Sequence, residues 1–318
     1  MVTIRAFTEQ DVPFGLELCR IAGWNQLAAD WMRLVKLAPD GVFVVEADGA
    51  RCGTATAVCY DRRLAWIGMI LVHPDFRGRG IGSRMMTTCI EHLHALGAAA
   101  IKVDATDQGR PVYLKLGFRD EQPIWRMIGR REPEASGAVT SRDAQASGAV
   151  NARDNVPPGV AANAAATAPG NDAQASGAVI PILPEHWPGI AALDRTAFDA
   201  DRLKLLRALA AEGPAMAAVR GSQVQAFGFA RPGYNAWQLG PVVSNAPEAA
   251  AAVVAALFDS MPAGKVFWDI LPENVPAMRL AQSLGFEPGR KLVRMYLGAD
   301  ALRGPVEGVY AGAGFELG

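Results

Sequence analysis

Apolar residues recur along the chain in two rhythms. Residues 41–46, 54–60 and 64–72 are dense in Val, Ile, Ala and aromatic side chains and read as strands, the first two joined by a turn at Asp48-Gly49. The third stops at His73-Pro74, where proline removes a ladder donor. From about Ile81 to Leu96 the period lengthens. Met85, Cys89, Leu93 and Leu96 fall at four- and three-residue steps and lay one apolar stripe along a helix that Gly97 ends. Residues 100–104 read as a further strand and 110–116 as a short helix closed by Gly117. Helices that follow strands in this order predict an α/β class (mixed α+β), a mixed twisted sheet flanked by helices.

The pattern returns in outline. Residues 215–220 and 225–230 read as paired strands, 237–243 as the counterpart of 64–72, and 265–271 as the strand after it. Leu284-Gly285-Phe286 echoes Leu116-Gly117-Phe118. Two tandem domains of one architecture are therefore expected, over residues 1–132 and 179–318, in keeping with 318 residues at roughly 100–200 per domain. Residues 133–178 contain no Leu, Ile, Phe, Trp, Tyr, Met, Cys or Lys. Such a stretch cannot offset its ordering entropy by burial. Its repeat (Asp143-Ala-Gln-Ala-Ser-Gly-Ala-Val150, then Asp172-Ala-Gln-Ala-Ser-Gly-Ala-Val179) is too short and apolar-poor to stack, so it reads as a flexible linker.

Charge narrows the function classes. Lys plus Arg number 31 against 32 Asp plus Glu, which removes the electrostatic case for a dedicated nucleic-acid partner. The longest apolar run, residues 249–258, is far short of the ~20 residues of a bilayer span, and the N-terminus lacks a secretion pattern. Cys19, Cys52, Cys59 and Cys89 form no CxxC pair. Together these features suggest a reduced cytoplasmic protein without a membrane partner. Cys89, His92 and His94 complete no ligand set, so no metal is expected.

The segment suited to chemistry lies between the third strand and its helix: Arg77-Gly78-Arg79-Gly80-Ile81-Gly82. Glycines let backbone approach a ligand, and the helix start offers unpaired N–H groups and partial positive charge. Such a turn suits an anion, foremost a phosphate. Ser83 breaks the dinucleotide pattern G-x-G-x-x-G, and Gly-Lys-Ser/Thr is absent.

R-x-x-G-x-G over Arg77, Gly80 and Gly82, with Tyr113-Leu-Lys-Leu-Gly117-Phe118 about thirty residues on, resembles the GNAT superfamily of acetyl-CoA-dependent N-acetyltransferases. Gly23-Trp24-Asn25-Gln26, Asp104-Ala-Thr106, Gly109-Arg110-Pro111 and Gly312-Ala-Gly-Phe-Glu316 resemble its bacterial two-domain members. The resemblance implies acetyl-CoA as co-substrate and an amine on a small molecule as acceptor, with direct transfer between them. It places the diphosphate on residues 77–82 and the pantetheine arm beside Leu71 and Val72, with backbone near Leu71 polarising the thioester. Tyr113 becomes the general acid. A base is also needed, and residues 64–72 offer no carboxylate where the family usually has one, leaving Asp104, Asp107 or a water chain. Trp24 and Asn25 either line the acceptor pocket or pack beneath a helix.

In the second domain the chemistry has gone. Ser244-Asn-Ala-Pro247-Glu248 replaces the glycine loop and Ala281 stands for Tyr113. Asp269, Glu273 and Asn274 read as turn chemistry around Pro272 and Pro276. A non-catalytic acetyl-CoA sensor is the alternative reading. Oligomeric state is left open.

Overall fold

A computed structural model describes residues 2–133, 177–299 and 304–318. The linker reading falls almost wholly outside the described residues. The first half runs β1 (Val2–Ala6), α1 (Val12–Ile21), α2 (Ala28–Leu37), β2 (Val42–Ala47), β3 (Ala50–Tyr60), β4 (Leu64–Val72), α3 (Ile81–Ala95), β5 (Ala100–Ala105), α4 (Arg110–Lys115) and β6 (Arg119–Arg131). The second repeats that order: β7 (Ala178–Pro181), α5 (Trp187–Phe198), α6 (Leu203–Ala210), β8 (Ala215–Arg220), β9 (Gln223–Arg231), β10 (Trp237–Ser244), α7 (Pro247–Ser260), β11 (Gly264–Ile270), α8 (Val275–Ser283) and β12 (Glu287–Gly298). A short strand β13 (Val309–Ala311) follows.

The strands form one mixed sheet in the order β1-β2-β3-β4-β5-β12-β6-β11-β10-β9-β8-β7, with β13 paired to β10. Its centre is an exchange. Strand β12 lies antiparallel beside β5 of the first half, β6 lies antiparallel beside β11 of the second, and the two pair with each other. The boundary along the chain is thus not the boundary in space, because each half completes its sheet with the other's last strand.

Burial explains the layers. On one face α1, α2, α5 and α6 share a single core in which Trp31 and Leu34 join Leu205, Leu206 and Phe227. On the other face each half keeps its own core, Met85, Cys89 and Leu93 of α3 covering the first and Val253, Val254 and Leu257 of α7 the second. The stripe Met85-Cys89-Leu93 points inward as its spacing predicts, while Leu96 at the helix end is 44% exposed. No described helix is long and apolar enough to cross a membrane.

Strands β4 and β5 are parallel neighbours only over Leu64–Trp66 and Ala100–Lys102. Beyond that they diverge, opening a V between their C-terminal halves. A bulge on β4 adds to it: pairing with β3 passes from Thr56–Gly68 to Thr54–Leu71, so one extra residue is accommodated on β4. Met69 there has φ 51°, and the Thr54 hydroxyl donates to its carbonyl at 3.0 Å. The bulge re-aims the β4 backbone next to the V.

Candidate active site

A cleft of about 1120 Å³ occupies the V. One wall is β4 from Ile67 to Val72, the floor at one end is the turn into α3, and the far wall holds Asp104, Thr106, Gly109 and Tyr113. Opposite them stand residues from the second half: Arg290, Lys291, Phe315 and Glu316.

The turn is built by its glycines. Gly78 and Gly80 have φ of +77° and +74°, the left-handed region that side chains rarely adopt. A Cβ on Gly78, Gly80 or Gly82 would meet no protein atom within 4 Å, so the room they leave belongs to the cleft. Gly80 caps α3 without a side-chain cap, and the N–H groups of Ile81, Gly82 and Ser83 precede any carbonyl of the helix that could accept them. This is a cradle for an anion. Arg77 braces it by donating Nε to the Val72 carbonyl at 3.1 Å. Arg79 does not line the cleft; it reaches Asp48 at 3.2 Å and lies over the Phe76 ring.

Tyr113 sits on α4 with its ring against Gly109, where even a Cβ would come within 2.9 Å of the phenol oxygen. Burial pushes its pKa up to about 12, which keeps the hydroxyl protonated throughout the physiological range.

Other candidates are engaged elsewhere. Asp104 lines the cleft, but both its oxygens accept from Arg294, at 2.8 and 3.1 Å. Burial raises this carboxyl while Arg294 opposes the rise. Such a fork leaves it a poor proton acceptor. Asn25 is buried outside the cleft wall. Its Nδ2 donates to the Ala236 carbonyl at 3.0 Å, and its Oδ1 accepts from the N–H groups of Asn235 and Ala236 at 2.7 and 3.0 Å. Its side chain is spent on the junction between the halves. Its neighbour Trp24 does line the cleft, with Arg290 over its ring at 5.8 Å. Asp107 lines the wall beside Thr106.

Neither Arg126 of β6 nor, from the second half, Glu316 was expected at the cleft from the sequence. Arg126 on β6 forks onto Asp269 with two 2.7 Å bonds and lies over Phe315 at 4.3 Å. Glu316 is buried over Gly68 of β4. The C-terminal segment is held there by Trp66, whose indole donates to the Phe315 carbonyl at 3.0 Å, and by Tyr60, whose hydroxyl donates to Leu317. The similarity of Gly312-Ala-Gly-Phe-Glu316 to two-domain relatives was the available signal.

The second half carries the same splay and closes it. Strands β10 and β11 pair in parallel only over Trp237–Leu239 and Val266–Trp268. Strand β13 then pairs with Val242 and Val243 of β10, filling the equivalent slot. Trp268 donates to the Tyr310 carbonyl at 2.7 Å, and the Asn274 amide donates to the carbonyls of Val306, Glu307 and Val309. Asp269 and Asn274, the polar cluster of the sequence, are thus structural. Among the described residues no group of three or more His, Cys, Asp or Glu is placed to hold a metal ion.

The two halves thus share one α/β plan, a V between parallel strands that is open with a glycine cradle at its mouth in the first half and closed by β13 in the second. Residues 38–120 and 190–311 each match a family described as an acetyltransferase (GNAT) domain. The chain belongs to the GNAT acetyltransferases, with two such domains in tandem. An uncharacterized N-acetyltransferase of Methanocaldococcus jannaschii is 33% identical over 150 residues, 40% of this chain and 66% of that protein. A solved Pyrococcus horikoshii protein, provisionally named an acetyltransferase, superposes with TM-score 0.76 at 20% identity over 100% of this chain and 96% of its own. A tandem GNAT protein of the clavulanic acid biosynthesis pathway gives 0.59 at 14% identity, covering 95% of this chain and 100% of its own. At these identities both structures speak to the fold.

Proposed function

We propose that the first half binds acetyl-CoA and transfers its acetyl group directly to the amine of a small molecule. The observation that carries the reading is the open V between β4 and β5 with the cradle of residues 77–82 at its mouth, set against the same V closed by β13 in the second half.

The N–H groups of Ile81, Gly82 and Ser83 would hold the diphosphate, with Arg77 keeping the turn in place through Val72. The β4 backbone around Leu71, freed from β5, offers the ladder groups that an amide-bearing arm can pair with. The bulge at Met69 turns backbone toward the thioester carbonyl, as an oxyanion donor does. Tyr113, neutral and at the cleft wall, is suited to protonate the departing thiolate. Family membership favours this reading over a sensor that only binds.

Calorimetric titration with acetyl-CoA, and separately with CoA, tests it. One site per chain is expected, together with thiol release when primary amines are added. Two sites would reassign the second half, and no binding would end the proposal.

A further inference from the structure

Resting on that reading, we infer that Glu316, delivered from the second half by the C-terminal segment, anchors the acceptor as an ammonium and takes its proton. Strand β4 carries no carboxylate, and Asp104 is forked onto Arg294. Gly68, at the middle of β4, has no side chain. A Cβ there would stand 2.9 Å from the Glu316 Cα and 3.0 Å from its Cβ. The segment therefore lies in the space a β4 side chain would fill and brings a carboxylate with it. Glu316, Trp24 and Gln26 all line the cleft.

The charges around Glu316 are unevenly matched. Glu316 belongs to a buried network in which Arg231 faces it at 3.4 Å and faces Asp30 at 3.6 Å, while Arg33 pairs with both Asp30 and Glu212. Three carboxylates thus share two guanidinium groups. Arg126, which also faces Glu316, is matched by Asp269, and Arg202 by Asp194. Within this network carboxylates outnumber guanidinium groups by one, but Glu212 is partly exposed and the cations Arg290 and Lys291 line the same cleft, so the pull on an ammonium is local to Glu316. Burial, the dominant influence on Glu316, raises its pKa against the pull of Arg231. The Gln26 amide oxygen, buried and without a hydrogen-bond partner among the described residues, supplies a second acceptor for N–H. The Glu316 carboxylate and the unpartnered Gln26 oxygen, both on the cleft wall, together fit the N–H donors of an alkylammonium.

The step balances as follows. The ammonium gives one proton to Glu316. The freed nitrogen pair forms the C–N bond at the thioester carbon, and the C–S bond breaks with its pair on sulfur. Tyr113 protonates that sulfur and recovers the proton the nitrogen sheds on becoming an amide. The proton on Glu316 passes to solvent.

The test compares wild type with Glu316→Gln at saturating acetyl-CoA, using methylamine, butylamine and phenethylamine as probes and following thiol release across pH. For wild type the rate levels off once Glu316 is ionised. For the variant we expect kcat lower by about 10²-fold and a rate that climbs tenfold per pH unit with the free-amine fraction toward pH ~10. Acetyl-CoA affinity stays unchanged, and the variant keeps a cooperative melt. Equal kcat and superimposable profiles would overturn the inference. Should no probe be turned over, calorimetry of phenethylamine on the CoA-loaded protein decides: binding weakened at least tenfold by Glu316→Gln supports it, and equal or absent binding overturns it. Failure of wild type to bind acetyl-CoA would instead remove the underlying function.

Discussion

Tyr113 is held neutral chiefly by burial, with a smaller push in the same direction from Cys89. Tyr113→Phe removes one hydroxyl from a wall it otherwise leaves intact, so kcat should drop by about 10–10²-fold with CoA affinity unchanged, as steady-state kinetics and calorimetry would register. Since its pKa lies near 12, the wild-type rate should show no alkaline loss below pH ~11. Gly82 separates ligand from fold more sharply. With no protein atom within 4 Å of its would-be Cβ, Gly82→Asp should leave the melting curve nearly unmoved yet weaken CoA at least ~10-fold, because it sets a carboxylate against a diphosphate. A third residue tests the outer frame. Asp11, buried, accepts two bonds from Arg5 and two from Thr8, and the Arg5 bonds chiefly hold its pKa well below the usual carboxylate value. A depressed folded pKa contributes stability that is full above the unfolded value near ~4 and lost as pH falls below it. Asp11→Asn should therefore cost about 1–2 kcal/mol at pH 7 and progressively less below pH 4 in denaturant titrations. The glycine turn and Tyr113 were legible because each lies within a short local motif. Asp104 and Asn25 were read toward chemistry because their partners, Arg294 and Ala236, lie 190 and 211 residues away, and no local pattern announces them.

Among the elements, the strands that were legible are those buried on both faces, such as β4 and β10, whose apolar runs are nearly continuous. Strand β6 escaped notice for the opposite reason. Its sequence Arg119–Arg131 mixes charges, Pro123 and Gly129, which looks like a loop until β11 and β12 flank it. Strand β13 is only three residues long, yet it decides which half stays open. The contact between β4 and the C-terminal segment is equally short and equally decisive. Gly68→Ala would press a methyl group into the backbone of Glu316, and backbone cannot yield as a flexible side-chain tip can. We expect a loss of about 1–3 kcal/mol in stability, read from urea midpoints, and a lower kcat with CoA affinity little altered, because the cradle at Gly78–Gly82 is untouched. A variant with unchanged stability and kcat would mean that the segment is free to lift from β4.

On the scale of the whole molecule, the repeat of elements was visible in sequence and their exchange was not, because nothing local to residues 119–131 or 287–298 says which half will flank them. The exchange gives the second half a structural reason to persist after its own slot has been filled. It supplies β12 to the first half's sheet, Arg294 to Asp104, and the segment that carries Glu316 to the cleft. It also removes two edges: without β12, β5 would present unpaired ladder groups, and without β6, β11 would do the same. The shared core of α1, α2, α5 and α6 adds large apolar side chains from both halves, including Trp31, Leu34, Leu206 and Phe227. Neither half can therefore bury its core or pair its edges alone. Expressed separately, residues 1–133 and 177–318 should each fail to give a cooperative melt and should aggregate. Mixed during refolding, they should recover one cooperative transition and one acetyl-CoA site per pair, because no sheet contact described here requires them to be covalently joined. Calorimetry of the mixture against each fragment measures this directly, and a cooperative, acetyl-CoA-binding fragment 1–133 would show that the first half owes nothing to the second.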